Sequence, residues 1–280
     1  MSINFDVTSS DNAYGFLLDT LGLQPGELVM EYLVECNGDV DLFLERNRYR
    51  LNDLDIQDVH YVAFHVTASL DNCREIKENG IRDLQYVLSH NTMLTRMLNC
   101  GDINFDIKNC LMCVNGRRVN IDYEYYRGCR FLSPEEKRLE SIAHRIYYDF
   151  CVNGFFANDN VEGYETDIHK RPEFIAKLIK MSPKAKSLDA FWRAKSKPYK
   201  IFFFATVDQI HKFTFGLEKN YDPYTEDEKE AIKNWMLREA INQAFDPGGE
   251  HYIYIRDYQH IPPEQIIKCE LMEEVNEATE

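Results

Sequence analysis

Apolar side chains run together or alternate with polar ones in several short stretches of the chain, which is typical of β-strands. Residues 59–67 (Val-His-Tyr-Val-Ala-Phe-His-Val-Thr) are apolar on both faces and rich in aromatic and β-branched types, so they predict a buried strand. Asn115 and Gly116 predict the turn of a hairpin. The other predicted strands are residues 111–114, 117–121, 199–206, 250–255 and 265–271.

Apolar positions with helical spacing fill much of the remaining chain. The predicted helices are residues 11–21, 26–36, 39–48, 70–79, 134–150, 173–180 and 225–245. Pro25 suits the first turn of a helix, and Thr225 with Glu228 forms a capping box. Residues 1–57 therefore predict a helical N-terminal element. Because the later strands are scattered among helices without a regular βαβ order, the sequence predicts an α+β fold.

The charge balance narrows the class of partner. Lys and Arg number 32 and Asp and Glu number 47, so the net charge is 32 − 47 = −15. Such a surface repels phosphate backbones, which disfavours nucleic acid as a partner. No apolar run approaches the roughly 20 residues that span a bilayer, and the first residues lack the pattern of a signal peptide. We therefore expect a cytoplasmic protein with reduced cysteines and no membrane partner.

Several common signatures are missing from the sequence. It has no GxGxxG after a strand, no GxxxxGK[ST], no HExxH and no GxSxG. Cys110 and Cys113 form a lone CxxC with only irregularly spaced ligand types around it, so a zinc site is disfavoured and we predict no metal.

Three segments far apart in sequence carry the candidate chemistry. They are Phe64-His65-Val66-Thr67, residues 201–206 (Ile-Phe-Phe-Phe-Ala-Thr) and residues 249–259 (Gly-Glu-His-Tyr-Ile-Tyr-Ile-Arg-Asp-Tyr-Gln). In order and residue type they resemble the three motif strands of the ADP-ribosyltransferase superfamily. The likeness is to its H–Y–E branch, which includes the diphtheria-toxin-like enzymes and the poly(ADP-ribose) polymerases. It covers these three short segments only.

The first and last segments are similar to the family pattern in different ways. The family's first strand carries His, a small residue and a hydroxyl residue, and His65-Val66-Thr67 has Val where Gly is common. The last strand carries the catalytic Glu before an aromatic and aliphatic run, as at Glu250. His65 could instead be a core histidine with one hydrogen bond made, and Glu250 a solvated strand end.

Two stretches compete for the middle motif. Residues 201–206 offer Phe204 where the family usually has Tyr, with Thr206 after it. Residues 154–157 (Gly-Phe-Phe-Ala) also resemble the aromatic strand, and Tyr164 follows them. The length of the strand favours residues 201–206, and the choice between Phe204 and Tyr164 stays open.

The resemblance implies a fold and a reaction. The fold would have the family's split antiparallel sheets over residues 58–272, with a mostly helical insertion at about 89–198 and an acidic tail at 273–280. The reaction would use NAD as co-substrate. A carboxylate at Glu250 would stabilise positive charge on the ribose and help to deprotonate the incoming nucleophile.

The remaining assignments follow from the same resemblance. His65 and Thr67 would bind ribose hydroxyls, Phe204 or Tyr164 would stack on nicotinamide, and Thr206 would add a contact to NAD. ADP-ribose would pass to a macromolecule, with protein favoured over nucleic acid by the acidic charge. Enzymes of this class include toxins and phage-defence effectors, which implies an inhibitor or antitoxin partner. The alternatives are an inactive binding module with this fold and an unrelated α+β interaction protein.

Overall fold

The structure, a computed structural model, describes residues 3–163 and 166–272 and confirms the α+β class. The strands are β1 (Ile3–Asp6), β2 (Val59–Ser69), β3 (Ile103–Asp106), β4 (Leu111–Val114), β5 (Arg117–Asn120), β6 (Asn153–Asn158), β7 (Lys197–Ala205), β8 (Glu250–Tyr254) and β9 (Ile266–Leu271). The α-helices are α1 (Ser10–Leu21), α2 (Pro25–Val29), α3 (Val40–Asn47), α4 (Arg74–Asn79), α5 (Leu84–Ser89), α6 (Met93–Cys100), α7 (Tyr123–Arg127), α8 (Pro134–Tyr147), α9 (Glu173–Leu178), α10 (Pro183–Lys195) and α11 (Glu226–Phe245). The acidic tail predicted at 273–280 lies outside the described residues.

The chain divides into two compact units, each built from three stretches. The first unit consists of Met1–His65, Asn153–Asp159 and Phe202–Arg256, and the second of Val66–Val152, Asn160–Ile201 and Asp257–Glu280. Strands β2 and β7 run from one unit into the other. The predicted boundaries at 57 and at about 89–198 do not coincide with this division, because β6 belongs to the first unit.

In the first unit the strands follow the order β8-β6-β2-β7, with β1 paired in parallel to β2. One face of this sheet, here called the core face, packs against α1 and α11. The ring of Phe5 lies 5.1 Å from that of Phe16 and 5.5 Å from that of Trp235. The hydroxyl of Tyr61 lies 3.6 Å from the sulfur of Met236. The sequence did not predict β1, because four residues are too few to establish an alternating pattern.

β6 begins at Asn153 and Gly154, a pair of residue types that usually indicates a turn. A Cβ atom on Gly154 would lie 2.6 Å from the carbonyl oxygen of Phe64, so a side chain there would prevent the close approach of β2. β6 pairs antiparallel with β2, with Phe155 opposite Phe64, and antiparallel with β8. Its register with β8 shifts between Phe155 and Ala157, which marks a β-bulge.

The N-terminal helices appear where the sequence predicts them, with one unexpected feature. α2 continues directly into a π-helix, Met30–Glu35. On one side of this helical segment Leu28 and Tyr32 are buried, and the Tyr32 ring lies 5.6 Å from Phe43 and 4.7 Å from Phe245. That side therefore belongs to the core of the first unit.

In the second unit β3, β4 and β5 form an antiparallel sheet, and β9 lies next to β7. The predicted hairpin is confirmed: Asn115 and Gly116 have positive φ angles of 50° and 79°, as a two-residue turn of type I′ requires. Helix α10 is rich in basic residues, with Lys184, Lys186, Arg193 and Lys195 along its length. Trp192 on that helix is buried, and its indole nitrogen donates to the carbonyl of Ala68 at 2.9 Å.

Candidate functional site

Glu250 begins β8 in the first unit, and its side chain is exposed. The hydroxyl of Tyr252, two residues along the strand and therefore on the same face, donates to one carboxylate oxygen. The amide nitrogen of Asn158, directly opposite on β6, lies 3.4 Å from the other oxygen. The carboxylate is thus positioned by neutral donors from two strands. Among the described residues, no cation pairs with it.

Aromatic rings continue from Glu250 across the same face of the sheet. The ring of Phe155 lies 5.1 Å from that of Tyr252 and 5.6 Å from that of Phe64, and Phe64 lies 5.7 Å from Phe202. Tyr252 stacks on Tyr254 at 5.9 Å. These five residues are here called the aromatic face. Tyr252 and Tyr254 are only half-buried, so part of the face can meet a flat ligand.

A cation lies at the far end of this row of rings. The ring of Phe213 lies 4.9 Å from that of Tyr254, and the ammonium of Lys219 lies 5.7 Å from the centre of the Phe213 ring. Lys219 is exposed. The arrangement therefore offers a carboxylate, then aromatic rings, then an ammonium group along one face of one unit.

His65 lies on the other face of the sheet. Neighbouring residues of a strand point to opposite faces, and Phe64 shares its face with Phe155 and Tyr252. The imidazole Nδ1 of His65 lies 2.8 Å from the carbonyl oxygen of Asn153.

The two predicted catalytic residues are also separated along the strands. Asn153 is opposite Tyr254, whereas Asn158 is opposite Glu250. Because Phe64 is opposite Phe155, His65 is level with Gly154 and Ile253, which is three residues, or roughly 10 Å, from Glu250 along β8. The structure does not bring His65 and Glu250 together on one face.

The other residues predicted to bind NAD have contacts of their own and are not described beside Glu250. Phe204 stacks on His60 at 4.1 Å, and the hydroxyl of Thr206 lies 3.2 Å from the side-chain oxygen of Gln209, in a capping interaction. Thr67 follows His65 on β2 and belongs to the second unit. Tyr164 lies outside the described residues.

The order of the strands distinguishes the two stretches that compete for the middle motif. β6, which carries residues 154–157, lies directly between the strand of His65 and the strand of Glu250. β7, which carries Phe204, lies on the far side of β2. Residues 154–157, which the length of the strand disfavoured, are therefore on the strand adjacent to Glu250.

Behind Glu250, His251 points to the opposite face and anchors β8. Its Nδ1 atom lies 2.5 Å from a carboxylate oxygen of Glu239 on α11. The hydrogen bond to Glu239 raises the pKa of His251, and burial opposes part of this rise. This contact stabilises the strand that carries Glu250.

Sequence reasoning missed Tyr252, Asn158 and His251 as supports of the site. Alternation within β8 could have identified Tyr252, because it is two residues from Glu250. No sequence pattern could have identified Asn158 or His251. The contact of Asn158 depends on how β6 pairs with β8, and that of His251 depends on how α11 packs against β8.

Comparison of the chain with models of protein families, with curated proteins and with solved structures finds no match. None of the described helices combines the length and the apolar character needed to cross a bilayer. The function must therefore be argued from the residues of the site.

Proposed function

We propose that the chain is an ADP-ribosyltransferase that uses NAD and transfers ADP-ribose to a macromolecule, with protein the favoured acceptor. The observation that carries this proposal is the position of Glu250: an exposed carboxylate, positioned by Tyr252 and Asn158, at the end of the aromatic face. The ADP-ribosyltransferase-like fold is part of the same proposal. Adjacent positions for the strands of His65, residues 154–157 and Glu250 support it.

Glu250 suits the part of NAD where the bond breaks. Glu250 would lie beside the ribose and stabilise the positive charge that develops as its bond to nicotinamide breaks. The bonding electrons leave with nicotinamide, and the acceptor's nucleophile forms the new bond to the ribose carbon. Glu250 then receives the proton of that nucleophile. Tyr252 and Asn158 keep the carboxylate oriented throughout.

The aromatic face and Lys219 suit the rest of the co-substrate. Tyr252 and Tyr254 offer flat, half-exposed rings on which nicotinamide or adenine can stack. The ammonium of Lys219, beyond Phe213, suits a phosphate group. In this proposal residues 154–157 on β6 take the place of residues 201–206 as the middle motif.

A second candidate function is favoured by the position of His65. Because His65 lies on the opposite face from Glu250, the fold could bind a nucleotide without cleaving it. Such a binding module would hold NAD on the aromatic face and release no nicotinamide.

Incubation with labelled NAD and candidate acceptor proteins separates these functions, with nicotinamide release and transfer of label both followed. We expect turnover by the wild type, and a loss of roughly 10²-fold or more in Glu250→Gln because a transition-state contact is removed. Glu270→Gln, which removes an exposed carboxylate on β9, is the matched control and should keep full activity.

The remaining outcomes decide between the candidates. NAD binding without turnover would establish the binding module. Equal activity of Glu250→Gln and wild type would rule out Glu250 as the catalytic residue. A loss of turnover in His65→Ala as large as that in Glu250→Gln, in a variant whose circular dichroism matches wild type, would contradict the placement of His65 away from the reacting ribose.

A further inference from the structure

The helical segment 25–35 exposes a row of large apolar side chains. Val29, Met30, Leu33 and Val34 are 37%, 52%, 48% and 62% exposed. Helical spacing places them on one side of the segment, opposite the buried Leu28 and Tyr32. The four exposed residues are here called the apolar stripe.

The fold of the chain does not explain this stripe. Single exposed apolar residues are ordinary on protein surfaces, but a contiguous group on one helix is typical of an interaction site. The stripe includes part of the π-helix, a rare element that occurs often at functional sites.

The helix that carries the stripe is held firmly on its other sides. The amide of Asn47 donates to Glu31 at 2.7 Å, and Arg46 pairs with Glu35 at 2.5 Å. A partner would therefore meet a preformed surface and would not need to order it.

The charge around the stripe indicates the kind of partner. The first 45 residues contain no Lys or Arg. Within the helical segment itself the charged residues are Glu27, Glu31 and Glu35, of which Glu35 pairs with Arg46 and Glu31 accepts from Asn47, while Glu27 is exposed. A second copy of this chain would bring the same acidic segment against itself, and like charges oppose that contact. A cationic partner would be attracted.

We propose that the apolar stripe docks a basic amphipathic helix of another protein. Its apolar residues would pack on Met30 and Leu33, and its Lys and Arg residues would face the surrounding carboxylates. The stripe and Glu250 are distinct features, so this interaction does not depend on the proposed reaction with NAD.

Fluorescence anisotropy with a labelled synthetic helix of leucine and lysine tests the proposal on the full chain. The leucines form one face of the probe, and a scrambled peptide of the same composition controls for charge alone. We expect Met30→Gln/Leu33→Gln to bind the amphipathic probe roughly tenfold more weakly than wild type. Gln favours helix, so the segment should keep its structure, and circular dichroism checks this.

Two exposed aromatic residues of the second unit provide the matched control. Phe131→Gln/Phe191→Gln removes at least as much exposed apolar surface and should leave the affinity unchanged. Raising the salt from about 0.05 M to about 0.5 M should weaken binding by wild type, because charge attraction is screened.

Three results would overturn the proposal. One is equal affinity of the Met30→Gln/Leu33→Gln variant and wild type for the amphipathic probe. Another is equal affinity of wild type for the amphipathic and the scrambled peptide. The third is sedimentation showing a wild-type dimer that the same variant dissociates, which would make a second copy the occupant of the stripe.

Discussion

Glu250 in the first unit and Asp189 in the second are both carboxylates with several partners, but the partners differ in charge. Glu250 is held by a phenol and an amide, which are neutral. The oxygens of Asp189 lie 2.7 Å and 3.2 Å from nitrogens of Arg171 and Arg193. Neutral donors orient a carboxylate and leave its charge available, whereas two guanidinium groups neutralise it. The surroundings of Glu250 therefore suit the binding of a ligand, whereas those of Asp189 suit stabilisation of the fold.

The largest effect should come from breaking the arginine network. In Arg171→Ala, Asp189 loses its closest cation while it stays largely buried, so we expect a loss of roughly 3 kcal/mol in the free energy of unfolding. Urea denaturation measures this change. Arg117→Ala, which removes an exposed pair with Glu135, is the control and should change stability by less than about 0.5 kcal/mol. Similar losses of stability in both variants would contradict the expectation that the buried arginine network stabilises the fold more than an exposed ion pair does.

An ion pair of the first unit with one buried partner, Lys212, should show a smaller loss of stability. The ammonium of Lys212, only 1% exposed, lies 2.8 Å and 2.9 Å from the two oxygens of Glu228. We expect Lys212→Met to lower the free energy of unfolding by less than Arg171→Ala does, because Glu228 loses its cation but is still partly exposed to water. Lys229→Met breaks the exposed pair with Glu226 and should be nearly neutral. No loss in Lys212→Met would mean that the methionine packs as well as the ion pair.

Removing the hydroxyl of Tyr252 should weaken turnover without affecting the fold. Tyr252→Phe keeps the ring on the aromatic face but frees one oxygen of Glu250, so we expect NAD turnover to fall about fivefold. Tyr258→Phe, at an exposed tyrosine of the second unit, is the control. Unchanged kcat in Tyr252→Phe would show that this hydroxyl does not position Glu250.

The smallest effect concerns the anchor of β8. Because the pKa of His251 is raised in the folded chain, its contact with Glu239 contributes stability that is fully present below the unfolded pKa of about 6.5. That contribution should be lost as the pH rises through the folded value. Urea denaturation at about pH 6 and about pH 9 measures the difference between wild type and Glu239→Gln. The difference in unfolding free energy between wild type and Glu239→Gln should become smaller at the higher pH. A difference that does not change with pH would refute a stabilising contact between protonated His251 and Glu239.

The sequence predicted which stretches form the strands of the candidate site better than it predicted how those strands pair. β2 and β8 are evident from aromatic and β-branched runs, and the helices from their spacing and caps. β6 was obscured because Asn153 and Gly154 indicate a break, although Gly154 is there to allow close approach of β2.

The faces of His65 and Glu250 could not be predicted at all. They depend on the pairing of β2, β6 and β8, and a shift of one residue in that pairing would exchange the two faces. Nothing in a single sequence fixes such a register over nearly 200 residues.

The irregularity in β6 lets one short strand serve two purposes. Its extra residue, Phe156, points into the core face, where its ring lies 5.8 Å from Phe5 and 5.3 Å from Trp235. Two residues later Asn158 is again opposite Glu250. A strictly alternating strand would have turned Asn158 away once Phe156 was accommodated. A substitution of Phe156 would therefore change the packing of the core without turning the Asn158 amide away from Glu250.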